Sequence, residues 1–147
     1  MRLSSAGFEL LKVLEGFRAK PYVCAGGKVT IGYGHVVKPD ELGKLVEVTQ
    51  EQATALLEQE VQTFEEVVED KVQHELKQRE FDALVLFTYN VGAAALGTST
   101  LLKVLNDGEW DKVPTEIRRW VYAGGRKNKG LANRREAEIS LFQGRQK

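Results

Sequence analysis

From Pro21 to Val37 the chain departs from the spacing that governs most of its length. Gly26, Gly27, Gly32 and Gly34 punctuate Tyr22, Val23, Val29, Ile31, Tyr33 and Val36. Aromatic and β-branched residues between turn-forming glycines predict a small antiparallel sheet with tight turns. Elsewhere the apolar residues recur at helical intervals. Phe8, Leu11 and Leu14 share a face behind a possible Ser4 or Ser5 cap, which puts Glu15 in the last turn of a first helix. Thr49 and Gln52 have capping-box spacing, and Ala53, Leu56, Leu57, Val61, Phe64, Val67 and Val68 follow as one long amphipathic helix with an acidic outer face. At about twenty residues and roughly 30 Å, such a helix could join a sheet-bearing lobe to a helical one.

Phe81, Leu84, Val85, Thr88 and Val91 mark a further helix, and the uncharged stretch from Ala83 to Leu102 is expected to cross the centre of the core. Shorter helices are expected over Thr100 to Leu105, Lys112 to Tyr122 and Asn133 to Phe142, with a loop from Ala123 to Gly130. The predicted class is α+β in a single domain over 1–147. Residues of about 15–50 form a small β-containing lobe, and about 51–147 form a helical lobe on which the first helix packs. Trp110, Trp120 and Phe142 are read as core or interface residues. Asn90 is read as satisfying backbone groups at a helix end.

With 147 residues, 42% of them hydrophobic, the chain can bury one core. A single cysteine, Cys24, excludes an intramolecular disulfide and a CxxC metal site. His35 and His74 lack partners at ligand spacing, so no metal and no cofactor are expected. The zero net charge hides a division of sign: thirteen acidic and four basic residues over 40–82, against eleven basic and six acidic from Lys103 to Lys147. The basic ends would suit an anionic polymer surface. No basic run interleaved with aromatics marks a nucleic-acid site. The start of the chain has no apolar run resembling a signal peptide, and nowhere do 18 apolar residues follow one another, so stable membrane insertion is not expected.

Glu15 is the residue with the clearest chemical possibilities. A carboxyl group leaving a helix beside a glycine-rich hairpin can protonate a bound leaving group, while small polar groups opposite hold a water. On position alone it could equally be an exposed carboxylate, although the C-terminal end of a helix disfavours an anion. Thr30 in a strand is what β-propensity alone would give. His35 is read as a structural hydrogen-bonding residue of the sheet.

Glu15, eight residues, Cys24, five residues and Thr30 together resemble the catalytic signature of the phage-type lysozymes, the endolysins of glycoside hydrolase family 24. Gly32-Tyr33-Gly34-His35 is similar to that family's sheet motif, and Asp82 to Gly92 to its central core helix. Ser99-Thr100-Leu101-Leu102 and Gly130 to Glu138 match in the same order, so the similarity runs from about Phe8 to Phe142.

The resemblance implies a lysozyme-like fold: a small β-sheet lobe and a mainly helical lobe joined by a long helix. It implies cleavage of the β-1,4 bond between N-acetylmuramic acid and N-acetylglucosamine in bacterial peptidoglycan, with Glu15 as the general acid. Cys24 stands where the family more often has aspartate. It could be an inert apolar group, a covalent nucleophile, or a water positioner with Thr30; the last, an inverting route, is preferred. At an ordinary thiol pKa of about 8.5 it would act mainly as a neutral positioner. Arg134 and His35 are assigned to support of the cleft, Arg134 through an ion pair with Glu15. A monomer is the expectation for assembly, and peptidoglycan the partner. The enzyme would wait in the host cytoplasm until a holin releases it to the wall in the periplasm, lysing the host. A lytic transglycosylase, giving 1,6-anhydro ends, and a peptidoglycan-binding pseudoenzyme are the alternatives.

Overall fold

In a computed structural model, residues 1–24 and 26–145 are described. Seven α-helices and five strands occur among them, in the α+β arrangement expected. Helix α1 spans Ser5–Glu15, the strands β1 Arg18–Val23, β2 Val29–Gly32 and β3 His35–Val36 follow, and helix α2 runs Gln50–Lys71. Then come α3 Gln78–Val91, α4 Ala93–Thr98, α5 Thr100–Asn106 and α6 Val113–Arg118. A hairpin of β4 Tyr122–Ala123 and β5 Arg126–Lys127 leads into α7 Lys129–Phe142. No helix among the described residues is long and apolar enough to cross a membrane. Two compact units are distinguished, Phe8–Gln62 and Met1–Gly7 with Thr63–Lys147. The sheet-bearing unit is therefore wider than 15–50, and most of α1 groups with the sheet.

In the sheet-bearing unit β1, β2 and β3 form an antiparallel meander with β2 in the centre. It begins at Arg18, three residues before the glycine-rich run. Pro21 has no N–H to give to a ladder, and it falls on an edge strand where the register shifts between Arg18 and Tyr22. Ile31, Tyr33, Leu11, Val48, Ala53, Leu57 and Val61 are buried. Gly32 lets the sheet close on α2, since a Cβ there would stand 3.0 Å from that of Ala53. The capping box at the start of α2 forms as its spacing predicts: Gln52 N–H donates to Thr49 Oγ1 at 3.1 Å, and Thr49 N–H to Gln52 Oε1 at 2.9 Å.

In the helical unit every residue of α3 from Phe81 to Thr88 is buried. The buried carboxylate of Asp82 is satisfied by Ser4 N–H at 3.0 Å, by the Ser4 hydroxyl and by the Gln78 amide at 2.8 Å. Ser4 also caps α1, accepting from Gly7 N–H at 3.1 Å. A Cβ at Gly7 would stand 2.8 Å from Asp82 Cγ, so a larger residue here would displace the Asp82 side chain.

Four expectations need correction. The uncharged stretch is continuous core only as far as Thr88; beyond it only Leu96 of α4 and Leu101 of α5 are buried, because α4 is a short helix of small residues. The helix expected over Lys112 to Tyr122 ends at Arg118. Gly124 and Gly125, at φ 59° and 80°, supply the two positive φ values of a tight hairpin turn, and so convert the expected loop and the end of that helix into β4–β5. Helix α7 starts at Lys129, four residues earlier than expected, because Asn128 Oδ1 accepts Leu131 N–H at 2.8 Å and caps it. Asn90 satisfies no backbone group by its side-chain oxygen but receives an N–H of Arg135. The aromatic residues serve packing as expected: Trp110 meets His74 and Phe142, and Trp120 stands edge-on to Phe87 at 5.9 Å between centroids.

Candidate active site

Glu15, Cys24, Thr30 and His35 all fall within the sheet-bearing unit. Glu15 is the last residue of α1, half-buried, and Gly16 N–H closes the turn onto Lys12 O at 2.9 Å. Its carboxylate approaches the glycine-rich turn between β2 and β3. A Cβ built on Gly34 would lie 3.0 Å from Glu15 Oε1, and Gly34 has φ 81°. Only glycine both adopts that backbone without strain and leaves room for the acid. Gly34 was legible as part of a sheet motif; that it makes space for Glu15 was not.

Thr30 is buried on the central strand, opposite Tyr22 on one side and Val36 on the other. Its hydroxyl donates to Lys28 O at 3.1 Å. Cys24 follows β1 and closes the turn: its N–H donates to Lys28 O at 2.9 Å, and its carbonyl accepts Gly27 N–H at 2.8 Å. Hydrogen bonds from the Lys28 backbone first, then from the Thr30 hydroxyl and the Gly26 backbone, hold the thiol below its ordinary value. This corrects the assumption of an ordinary thiol. The turn directs amide hydrogens at the sulfur and favours its charged form. Strand pairing sets Thr30 opposite Tyr22 and Cys24 opposite Lys28, so Cys24 and Thr30 are diagonal neighbours across the hairpin.

His35 is buried on β3 with both ring nitrogens occupied by carboxylates: Nδ1 with Glu60 of α2 at 2.6 Å and Nε2 with Glu41 at 2.9 Å. Burial alone would lower its pKa, but the two carboxylates outweigh burial and hold it above the ordinary histidine value. Glu41 lies lower than usual, chiefly through the backbone N–H of Lys38 and then through His35. A ring so clamped ties the sheet to α2 and has no nitrogen left for a base. Neither carboxylate partner was evident from sequence: Glu60 lies 25 residues away on α2, and Glu41, only 6 residues away, lies past the end of β3.

Arg134 lies in the helical unit, on α7. Its Nε donates to Glu138 at 3.1 Å and its Nη2 to Leu86 O at 3.1 Å. Arg135, read from sequence only as its neighbour, is the more buried: it donates to Glu138 at 2.5 Å, to Trp120 O at 2.8 Å and to Asn90. Burial drives the Glu138 carboxyl up, and the two guanidiniums oppose that shift. A cavity of about 770 Å³ in the sheet-bearing unit opens beside Lys12, Gly16, Phe17 and Tyr33, and none of Glu15, Cys24 or Thr30 lines it. No group of three or more metal-ligating side chains occurs among the described residues.

Several known proteins are similar to this chain in sequence and fold. The model of the phage lysozyme family matches residues 12–138. The endolysin of Bacillus phage B103 is 41% identical over 97% of this chain, which spans about half (54%) of that relative's length. Among solved structures, the muramidase domain of SpmX from Asticaccaulis excentricus is 35% identical with a TM-score of 0.86, covering 96% of this chain and 97% of that one. A mutant of P22 lysozyme is 32% identical, also at 0.86, covering 97% and 99%. The fold is thus the lysozyme-like α+β fold implied by the sequence motifs. On the match to its family model and on its identity to these relatives, the chain belongs to the phage lysozyme family.

Proposed function

We propose that this chain is a peptidoglycan-lysing glycoside hydrolase that cleaves the β-1,4 bond between N-acetylmuramic acid and N-acetylglucosamine, by inversion. The observation that carries the reading is the strand register that sets Thr30 opposite Tyr22, two residues before Cys24, so that Thr30 and Cys24 are diagonal neighbours on the hairpin, in the same unit as a glutamate given room by Gly34. Glu15 donates its proton to the glycosidic oxygen as the bond breaks. Thr30 and Cys24 hold the water that attacks the anomeric carbon. The hydrogen bonds that lower the thiol's pKa favour its charged form, which accepts a hydrogen bond from that water more readily, closer to the part an aspartate plays. The family membership and the name of the B103 relative support action on the bacterial wall. Lysis of a host after release from its cytoplasm belongs to the same proposal. So does the supporting part given to Arg134, which Arg134→Lys tests as a displaced acid limb in the pH profile of activity.

The deciding experiment digests purified peptidoglycan with this chain and with Glu15→Gln and identifies the muropeptide ends by mass spectrometry. Reducing N-acetylmuramic acid ends that require Glu15 are expected. Ends of the 1,6-anhydro type would instead make the protein a lytic transglycosylase, and binding without products a pseudoenzyme. Loss of a general acid costs about 10²–10⁴-fold, so Glu15→Gln is expected to fall in that range. Cys24→Ser keeps a group that can hold water and is expected to lose less than about tenfold, within the span of one misplaced contact. Equal losses from both changes, read as initial rates of turbidity decrease, would point to an essential thiol instead.

A further inference from the structure

The hairpin of the helical unit carries a surface that the proposed chemistry does not use. From Arg118 to Gly130 there are five basic residues and no acidic one. All residues from Tyr122 to Gly130 are exposed. Tyr122, at 65% exposure, is among the most exposed large side chains, on a ribbon of only two short strands. A groove of about 550 Å³ opens beside it, lined by Arg118, Arg119, Tyr122, Lys127 and Glu136 among others.

The register explains this lining. Tyr122 pairs with Lys127, and Ala123 with Arg126. Cross-strand partners project from the same face of a ribbon with their Cβ atoms about 5 Å apart. The Tyr122 ring and the Lys127 ammonium therefore stand side by side on the groove face, and Arg126 projects from the other. Arg118 gives its Nε and Nη2 to Glu136 at 2.8 and 3.1 Å, and Arg119 forms an ion pair with Glu116, its Nε 3.2 Å from the carboxylate. Both arginines line the groove, and Glu136 and Glu116 are the carboxylates that meet them among the described residues. Lys127, Arg126 and Lys129 make no ion pair there at all. A self-contained surface would balance these charges locally, as Glu136 does for Arg118.

We propose that this groove binds an anionic phosphodiester chain of the bacterial wall, a polyol phosphate of the teichoic-acid class. Its phosphates would sit on Lys127 and the outer nitrogens of Arg118 and Arg119, and the intervening carbon chain would lie against the Tyr122 ring. Regularly spaced single charges separated by short uncharged stretches match one ammonium beside one aromatic ring. A membrane would require a broader apolar face than a single tyrosine provides, and a nucleic acid would stack on more than one ring. The choice of a wall polymer rests on the proposed wall-lysing activity; the groove itself does not.

The test measures sedimentation of the protein with insoluble walls of a Gram-positive bacterium, before and after hydrofluoric acid strips their phosphodiester polymer. The Glu15→Gln chain is used, so that binding is read whether or not the wall is a substrate. Binding to untreated walls is expected to exceed that to stripped walls by about tenfold, the loss that follows when two to three phosphate contacts are removed. It is expected to fall roughly fourfold for each doubling of salt, the slope for about three neutralised phosphates on a flexible strand. Lys127→Gln and Tyr122→Ala should each abolish most of the difference between the two walls with an unchanged thermal midpoint. Equal binding to both walls, or indifference to both variants, would overturn the proposal. Equal or tighter binding to duplex DNA or to anionic phospholipid vesicles would overturn it too, by assigning the surface to another partner.

Discussion

Gly34 shows how much a single residue decides in this protein. A methyl group added there would stand 3.0 Å from Glu15 Oε1, on a backbone at φ 81° that L-residues adopt at a cost of about 1–2 kcal/mol. The atom it would meet is the far end of a flexible side chain, so the carboxylate moves rather than the fold failing. Gly34→Ala is therefore expected to lower stability by only about 1–2 kcal/mol in urea titration, yet to cut lytic activity by about tenfold to a hundredfold, as displacement of a reacting group by a fraction of an ångström does. A larger loss of stability than of activity would show that Gly34 serves the sheet and not the acid. The site was legible in sequence where local spacing carries it. Glu15 ends a helix whose apolar stripe is plain, and Cys24 and Thr30 bracket the turn of a hairpin whose glycines are plain. The lowered thiol was not legible, because its cause is the direction of the Lys28 and Gly26 amides, which composition does not encode.

At the scale of elements, α7 is the most instructive, since its polar residues are its core. Arg135 and Glu138 are fully buried, Arg134 nearly so, and the three meet α3 and the turn at Trp120. Sequence periodicity reads apolar stripes, so it finds α3 readily and misplaces the start of α7, where Asn128 caps a first turn containing Gly130. Glu138→Gln would leave two buried guanidiniums without their carboxylate. Breaking such a buried pair costs about 3–5 kcal/mol, and equilibrium unfolding in urea is expected to show a loss of that order. A loss below about 1 kcal/mol, the worth of an exposed pair, would mean that water reaches the network.

For the molecule as a whole, the clearest physical signature is a pH dependence. The unfolded chain carries His35 at about 6.5, and the folded protein holds it higher through Glu60 and Glu41 despite burial. A group whose pKa is raised on folding binds its proton more tightly in the native state, so its stabilisation is complete below about 6.5 and is lost as pH rises through the folded value. The urea midpoint of the wild-type protein is expected to fall as pH is raised from about 6 upward, and the difference between wild type and His35→Gln to shrink over the same interval. A difference that stays constant with pH would show that His35 is neutral and merely hydrogen-bonded. Glu60 and Glu41 reach this one imidazole from 25 and 6 residues away.

The sequence by itself determined the α+β class, the glycine-rich sheet, the long capped helix and the family, because each is written in local periods and short motifs that neighbouring residues carry together. Only the tertiary structure decided which carboxylates clamp His35, that Arg135 shares Glu138 with Arg134, that Gly34 lies against the Glu15 carboxylate, and that Tyr122 and Lys127 stand side by side on a ribbon. These are pairings of groups far apart in the chain or turned by a register, and the energy that selects them arises only when burial removes the water that would otherwise satisfy each one separately.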